Sequence, residues 1–364
     1  MMEHGGNIYT ASRKTGIPER RIVDFSASIN PLGLSASARI AMSRQTALLG
    51  HYPEPYAEGL IGQISHMLGL NSQSIICGNG STELIYLIPR VLKPNHVLVA
   101  APTFSEYEKA CRMSSAVKVV HYKLSKKNDF DIDTNVFIAH MKGISGATKP
   151  DSKLTGSLAF LCNPNNPTGR IVRKDAVLRI AEAAKRLKCY LVVDEAFIDF
   201  CPGESIALEV AGNPYLMVLR SLTKFYALAG LRLGYGIFPQ AVADMLRKMK
   251  EPWTINRLAA AAGSASMKDT TYQKRSLKTM DEEKLFMEEK FKKIGIRYLP
   301  SRANYYLLQI DHAHEVVRAL EEKGILVRDC SNFNGLDKTY IRVAVRSRKE
   351  NSRLIREVAR LCRE

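Results

Sequence analysis

The chain has 364 residues with 46% hydrophobic content, enough for one large domain or two unequal ones. Charged residues make up an ordinary 24%, which excludes wholesale disorder, and no apolar run approaches the roughly 18 residues that would span a bilayer. The net charge of +17 raises a nucleic-acid partner, but the basic residues are spread along the chain without a nucleic-acid-binding signature. We expect neither nucleic acid nor membrane as a partner, and read the charge as suited to small anionic substrates.

The N-terminal MMEHGGNIYT lacks the apolar core of a signal peptide. Seven cysteines without a CxxC pair fit a reducing cytosol, so the expected location is cytoplasmic. No Cys/His cluster has metal-site spacing, and His312 and His314 read as an exposed helix start.

From about Ser74, short apolar runs alternate with helical periods. Strands are expected at 74–77, 96–101, 117–122, 157–162, 189–194, 216–220 and 233–238, with helices in TELIYLIPRVL, FSEYEKACRMS and RKDAVLRIAEAAKRLK. This alternation implies an α/β domain with a mostly parallel seven-stranded sheet covered on both faces. After Pro252 the texture changes to two helices, near 255–267 and 270–293, then short strands around HEVVRALEEKG and a C-terminal helix. We therefore expect an N-terminal arm (1–25), a large domain (26–252) and a smaller α+β domain (253–364).

Ligands of open α/β sheets gather at the carboxyl ends of the strands, and four polar motifs fall at strand ends. CGNGSTELIYLI places Gly80, Ser81 and Thr82 at a helix start, either a phosphate site or simply a capped helix. NPNNPTG (163–169) is a rigid turn that can hold Asn166 as a fixed donor. VVDEAF ends an apolar strand on Asp194, a carboxylate that needs a partner when buried. LRSLTKFYALAGLRLGYG carries Ser221, Lys224 and Arg232. A lone lysine is ordinarily a surface lysine. Desolvated at a strand end among other cations, it becomes a neutral nucleophile. Together the four meet the needs of pyridoxal phosphate: an amine to carry it, an acid at its ring nitrogen, a donor at its ring oxygen and a phosphate cradle.

On these motifs the chain resembles fold-type-I pyridoxal-phosphate enzymes, the histidinol-phosphate aminotransferase-like family. Within it, EHGGN and DFSASINPLG resemble the threonine-phosphate decarboxylases of cobalamin biosynthesis. The resemblance implies Lys224 as the Schiff-base lysine, Asp194 at the pyridine nitrogen and Asn166 at the ring hydroxyl. It implies Phe104 stacked on the ring, and Gly80, Ser81, Thr82, Ser221 and Arg232 at the cofactor phosphate. Tyr52 would reach the phosphate of a neighbouring subunit's cofactor, which implies a homodimer with shared sites. Aminotransferases of the family carry DEAY where this chain has Phe197 in DEAF, which leans toward decarboxylation.

The bond that breaks is the Cα bond held perpendicular to the cofactor ring, so the substrate anchors choose the reaction. By composition HGGN reads as a frayed tail; the resemblance instead makes His4, Gly5 and Gly6 a phosphate-binding arm and Asn30 a substrate contact. Arg328, Arg342 and Arg346 are further anchors, the last two on one face if the strand runs through both. The activity expected is decarboxylation of L-threonine O-3-phosphate to (R)-1-amino-2-propanol O-2-phosphate. The alternatives are a histidinol-phosphate or related aminotransferase, and an O-phosphoserine decarboxylase giving ethanolamine phosphate.

Overall fold

The computed structural model describes residues 4–114, 116–145 and 156–362. All seven expected strands form, within two residues at either end, and join one sheet. Across it the order is Ile75–Asn79, Leu233–Ile237, Leu216–Ser221, Tyr190–Asp194, Ser157–Cys162, His96–Ala101 and Lys118–Lys123. Six strands run in one direction, and Leu233–Ile237 is antiparallel to both its neighbours.

The period of two explains the layering. Leu98, Ala159, Leu191, Val193, Leu216 and Val218 enter one apolar core, while Val97, Val99, Leu158, Phe160, Val192, Met217 and Leu219 enter the other. Successive side chains of one strand thus feed opposite faces, each covered by helices. Burying each large aliphatic residue contributes about 1.5–3 kcal/mol. That makes the sheet a rigid platform for whatever its ends carry.

The C-terminal part forms a four-stranded antiparallel sheet in the order Arg328–Asp329, Tyr340–Ala344, Tyr305–Gln309, Arg297–Tyr298. Helices Thr270–Lys293 and Arg348–Leu361 pack on it through Met280, Met287, Phe291 and Leu354, forming a third core with Tyr306, Leu308, Ile341 and Val343. A capping box between Ser347 and Glu350 starts the last helix. Helix Arg257–Lys268, by contrast, packs through Ala259 and Ala262 into the large sheet's core.

The N-terminal segment is ordered by defined interactions. The Asn7 side chain accepts from the Thr10 N–H at 3.0 Å and caps helix Ile8–Thr15, which ends on Gly16 at φ +72°. Val23–Asp24 then pairs in parallel with Ile325–Leu326, tying the segment to the C-terminal part. No helix among the described residues is long and apolar enough to cross a membrane.

Candidate active site

The parallel strands point their carboxyl ends to one edge, and a cavity of about 350 Å³ opens there, lined by Asp194, Asn166, Phe104, Ser221, Lys224, Ser81 and Thr82. Arg232 lines it too, for a different reason: it precedes its strand. Because Leu233–Ile237 runs antiparallel, its start lies beside the end of Ile75–Asn79, with Asn79 and Leu233 in register. The reversed strand therefore brings Arg232 to the helix start at Ser81.

Two glycines permit that approach. At Gly80, φ +71°, a Cβ would lie 2.6 Å from Arg232 Nη2. At Gly234 it would lie 2.4 Å from the Ser81 backbone nitrogen. The guanidinium consequently lies against the first turn of helix Ser81–Leu92, where free N–H groups and the Ser81 and Thr82 hydroxyls converge. The Ser221 and Thr223 hydroxyls, 2.7 Å apart, adjoin them.

The NPNNPTG loop divides its three asparagines by task. Asn163 donates to the Val172 carbonyl at 2.9 Å and accepts its N–H at 2.8 Å. Asn165 donates from its side chain to the Pro102 carbonyl and the Thr168 hydroxyl, each at 3.0 Å, and its carbonyl accepts from the Tyr305 hydroxyl at 2.8 Å. With both committed to the loop, Asn166 is the asparagine that faces the cavity.

Lys224 and Asp194 are both buried and shift in opposite directions. Burial, aided by the positive Arg342 and Arg232, lowers the Lys224 amine to about 8 against a raising pull from Asp194. Burial raises the Asp194 carboxyl to about 6, opposed by the Tyr107 hydroxyl, the Ala196 N–H and Lys224. Tyr107 donates to Asp194 Oδ2 at 2.7 Å and the Ala196 N–H to Oδ1 at 3.0 Å. The partner a buried carboxylate requires is thus Tyr107, stacked on Phe160 at 4.8 Å. Sequence reasoning missed it because the pair is separated by 87 residues.

The far wall comes from the C-terminal part and the N-terminal segment. Arg328 and Arg342 face each other directly across two antiparallel strands, and both line the cavity. Arg342 is buried. It donates to Asn166 Oδ1 and, at 2.7 Å, to the Ser26 carbonyl, and lies 5.1 Å over the Tyr305 ring. Arg328 donates to Asn332 Oδ1 at 2.9 Å and covers the Phe333 ring. His4 and Gly5 also line the cavity, the His4 ring centroid 6.0 Å from that of Phe104.

Three expectations are corrected here. Asn30 does not line the cavity. Its amide donates to the Phe225 carbonyl and the Ser276 hydroxyl, each at 2.8 Å, and its N–H to the Lys224 carbonyl at 3.0 Å. It therefore holds the backbone that carries Lys224. Gly6 spends its N–H on the Ser26 hydroxyl at 2.7 Å and lines a neighbouring hollow instead. Arg346 lies beyond the end of strand Tyr340–Ala344, so the period of two no longer places it with Arg342. Its guanidinium binds the Asp24 carbonyl at 3.0 Å and Glu350 at 2.9 Å. Tyr52, expected at a neighbouring subunit's cofactor, is 81% exposed, tilted against Trp253, and lies outside this chain's own cavity.

The residues fit pyridoxal phosphate: one buried amine, one buried carboxylate across from it, a donor set at a helix start, and a buried Ser28 hydroxyl in the lining with no partner among the described residues.

Comparison with known proteins agrees. The chain matches the family "aminotransferase class I and II" over residues 20–358. It is 35% identical to a threonine-phosphate decarboxylase of Salmonella typhimurium, over 97% of this chain and 94% of that one. It is 32% identical to a histidinol-phosphate aminotransferase of Moorella thermoacetica, over 97% and 88%. The structure of an L-threonine-O-3-phosphate decarboxylase from Porphyromonas gingivalis superposes with a TM-score of 0.79 at 25% identity, covering 94% of this chain and all of that one. The chain belongs to the aminotransferase class I and II family and is a pyridoxal-phosphate-dependent enzyme of fold type I.

Proposed function

We propose that the protein decarboxylates L-threonine O-3-phosphate, giving (R)-1-amino-2-propanol O-2-phosphate and carbon dioxide, the amino-propanol linker precursor of cobalamin. The observation that carries the reading is the pair Arg328 and Arg342, opposite each other across adjacent strands and both turned to the cavity. Like charges directly opposite are destabilising in a sheet. A dianionic substrate would lower that cost, and Arg232 with the helix start would already serve the cofactor's phosphate. His4 and Gly5 lie over the same space, and similarity to decarboxylases at both sequence and structure level supports the assignment.

When bound, pyridoxal phosphate supplies an electron sink for the bond that breaks. The protein's residues supply the rest. Lys224 carries the cofactor and afterwards returns a proton from Nζ to the substrate Cα, in place of the departing carboxylate. Its lowered affinity for protons suits that exchange. Asp194, held by Tyr107, would stabilise positive charge at the cofactor ring nitrogen. Asn166, Phe104 and the set Gly80, Ser81, Thr82, Ser221 and Arg232 would hold the cofactor at its ring oxygen, ring face and phosphate. Arg328, Arg342 and His4 fix the substrate's anionic groups and so the orientation at Cα; orientation contributes up to about 7–11 kcal/mol. The proposal includes a homodimer in which the exposed Tyr52 reaches the neighbouring subunit's cofactor phosphate, and the expected division at residues 25 and 252.

A direct product assay tests the reading. Holoenzyme given phosphothreonine releases carbon dioxide with no 2-oxoacid present. The second reading, histidinol-phosphate aminotransferase, is supported by relatives at 32% identity; it requires conversion of histidinol phosphate that depends on a 2-oxoacid acceptor, and that result would replace the first. Phosphoserine in the same assay measures how far the substrate methyl group counts, about 1–3 kcal/mol in a fitted pocket.

A further inference from the structure

One acidic residue lines this basic cavity without a part in the chemistry above. Glu106 opens helix Glu106–Ser114 and is buried at 6% exposure. Its Oε2 accepts from the Tyr86 hydroxyl and lies 3.8 Å from Lys109 Nζ. Its Oε1 lies 2.9 Å from His4 Nε2. At a helix start an acidic side chain is ordinarily read as a complement to the helix dipole. Here burial in a site for anions costs too much for that to be the whole account, because a carboxylate next to a bound phosphate is repulsive.

We infer that Glu106 is a positioning residue for substrate phosphate, acting through His4. A carboxylate only accepts, so His4 Nε2 carries the hydrogen between them. That fixes the ring's orientation over Phe104 and leaves Nδ1, which has no hydrogen-bond partner among the described residues, for the substrate: an acceptor in the neutral ring and a donor once the ring is protonated. With both nitrogens protonated the ring bridges two anions, Glu106 and the phosphate, and the carboxylate is screened from the substrate by the imidazolium it holds. The arm's backbone agrees with a fixed placement. A Cβ at Gly5 would lie 2.3 Å from the Ser26 carbonyl oxygen, and the Gly6 N–H is bound to the Ser26 hydroxyl. The Ser26 carbonyl in turn accepts from Arg342, so arm and arginine meet at one residue. Glu106 thereby turns a half-exposed terminal histidine, which would otherwise lose entropy on binding, into a preset phosphate donor.

The inference rests on the proposed reading of His4 as a phosphate contact, and a double-mutant cycle separates the two. Glu106→Gln, His4→Ala and the double variant are made in the holoenzyme. Affinity for phosphothreonine and for unphosphorylated L-threonine is measured from the fast spectral change of the bound cofactor on mixing, before turnover, together with KM and kcat. Glu106→Gln is expected to weaken phosphothreonine binding about tenfold, the size of a hydrogen bond to a charged group, with L-threonine affinity and kcat within about twofold. In the His4→Ala background the same change is expected to cost almost nothing more. Equal losses with and without His4, or equal losses for both amino acids, would show a merely structural role and overturn the inference. Unchanged phosphothreonine affinity in His4→Ala would overturn the reading of His4, and the inference with it. Absence of carbon dioxide release fails the decarboxylase reading alone, since the binding cycle needs no turnover. Glu106→Asp, which keeps the charge but shortens its reach, supplies a second route if the glutamine variant does not fold; a smaller loss, again dependent on His4, is expected.

Discussion

The floor and the roof of the cavity are built on different principles. The floor, with Asp194, Asn166, Ser221, Lys224 and Arg232, hangs on the edge of one rigid sheet whose two faces are filled with apolar side chains. The roof, with His4, Gly5, Arg328 and Arg342, is assembled from an N-terminal arm and a second, smaller sheet. Local sequence dictates the floor apart from Arg232; docking of distant segments dictates the roof. In the proposed reading the floor holds the cofactor and the roof decides the substrate. Removing floor residues is therefore expected to abolish chemistry, and removing roof residues to change which molecule is bound.

The largest effect belongs to Lys224. Lys224→Ala is expected to lower kcat at least about 10³-fold, and borohydride treatment should no longer fix the cofactor covalently to the chain. Retention of the yellow, reducible cofactor in that variant would break the assignment of the floor itself.

Asp194 comes next, and its two roles pull apart. Loss of its charge in Asp194→Asn is expected to cost on the order of 10²–10³-fold in kcat, the range seen when one preorganised electrostatic group is removed. Stability of the cofactor-free protein moves the other way. Burial raises the folded carboxyl from 3.8 to about 6, so the folded state holds this proton more tightly than the unfolded chain does. Its contribution is full below pH 3.8 and is lost as pH rises through about 6, by up to about 2–3 kcal/mol. The asparagine has no proton to lose. The melting temperature of the variant, minus that of wild type, should therefore climb between pH 4 and 6.5 and then level off. A flat difference would mean that Tyr107 and Lys224 fully compensate the burial of the charge.

On the roof, Arg342 is the strongest test. Its two guanidinium contacts, to Asn166 and to the Ser26 carbonyl, need a planar fork, and a lysine supplies only a point charge. Arg342→Lys is expected to raise KM for phosphothreonine roughly thirtyfold, corresponding to about 2 kcal/mol for a buried charge contact. If kcat falls as far as KM rises, the fork to Asn166 matters in the transition state too, and the division between floor and roof is less sharp than the geometry implies.

The same division governs what could be read in the sequence. Apolar runs with turn signals at their ends fixed seven strands, and the strand ends named Asp194, Asn166 and Lys224. The placement of Arg232 at that edge required the last strand to run backwards, which no local pattern states. Asn30 and Gly6 were expected to meet substrate because their motifs were right, yet Phe225, Ser276 and Ser26 had already claimed their donors. Glu106 and Tyr107 stood in plain view in PTFSEY. Both fell inside an expected helix and drew no role of their own, because their partners His4 and Asp194 are 102 and 87 residues away.

Arg346 gives the smallest effect and the cleanest control. It shares residue type with Arg342 and is four positions away, but the strand ends at Ala344 and the chain turns into the capping box of the last helix. There it joins the Asp24 carbonyl to Glu350, half-buried and away from the cavity. Arg346→Met keeps an apolar stem and removes the guanidinium that lies over Phe25 together with its two hydrogen bonds. Glu350 retains the Ser347 hydroxyl, donating at 2.5 Å, so no carboxylate is left stranded. The expected cost is about 1 kcal/mol of folding stability, read as a small drop in melting temperature, with KM and kcat for phosphothreonine within about twofold of wild type. A tenfold rise in KM would return Arg346 to the substrate anchors and show that the roof closes further over its ligand than this structure does.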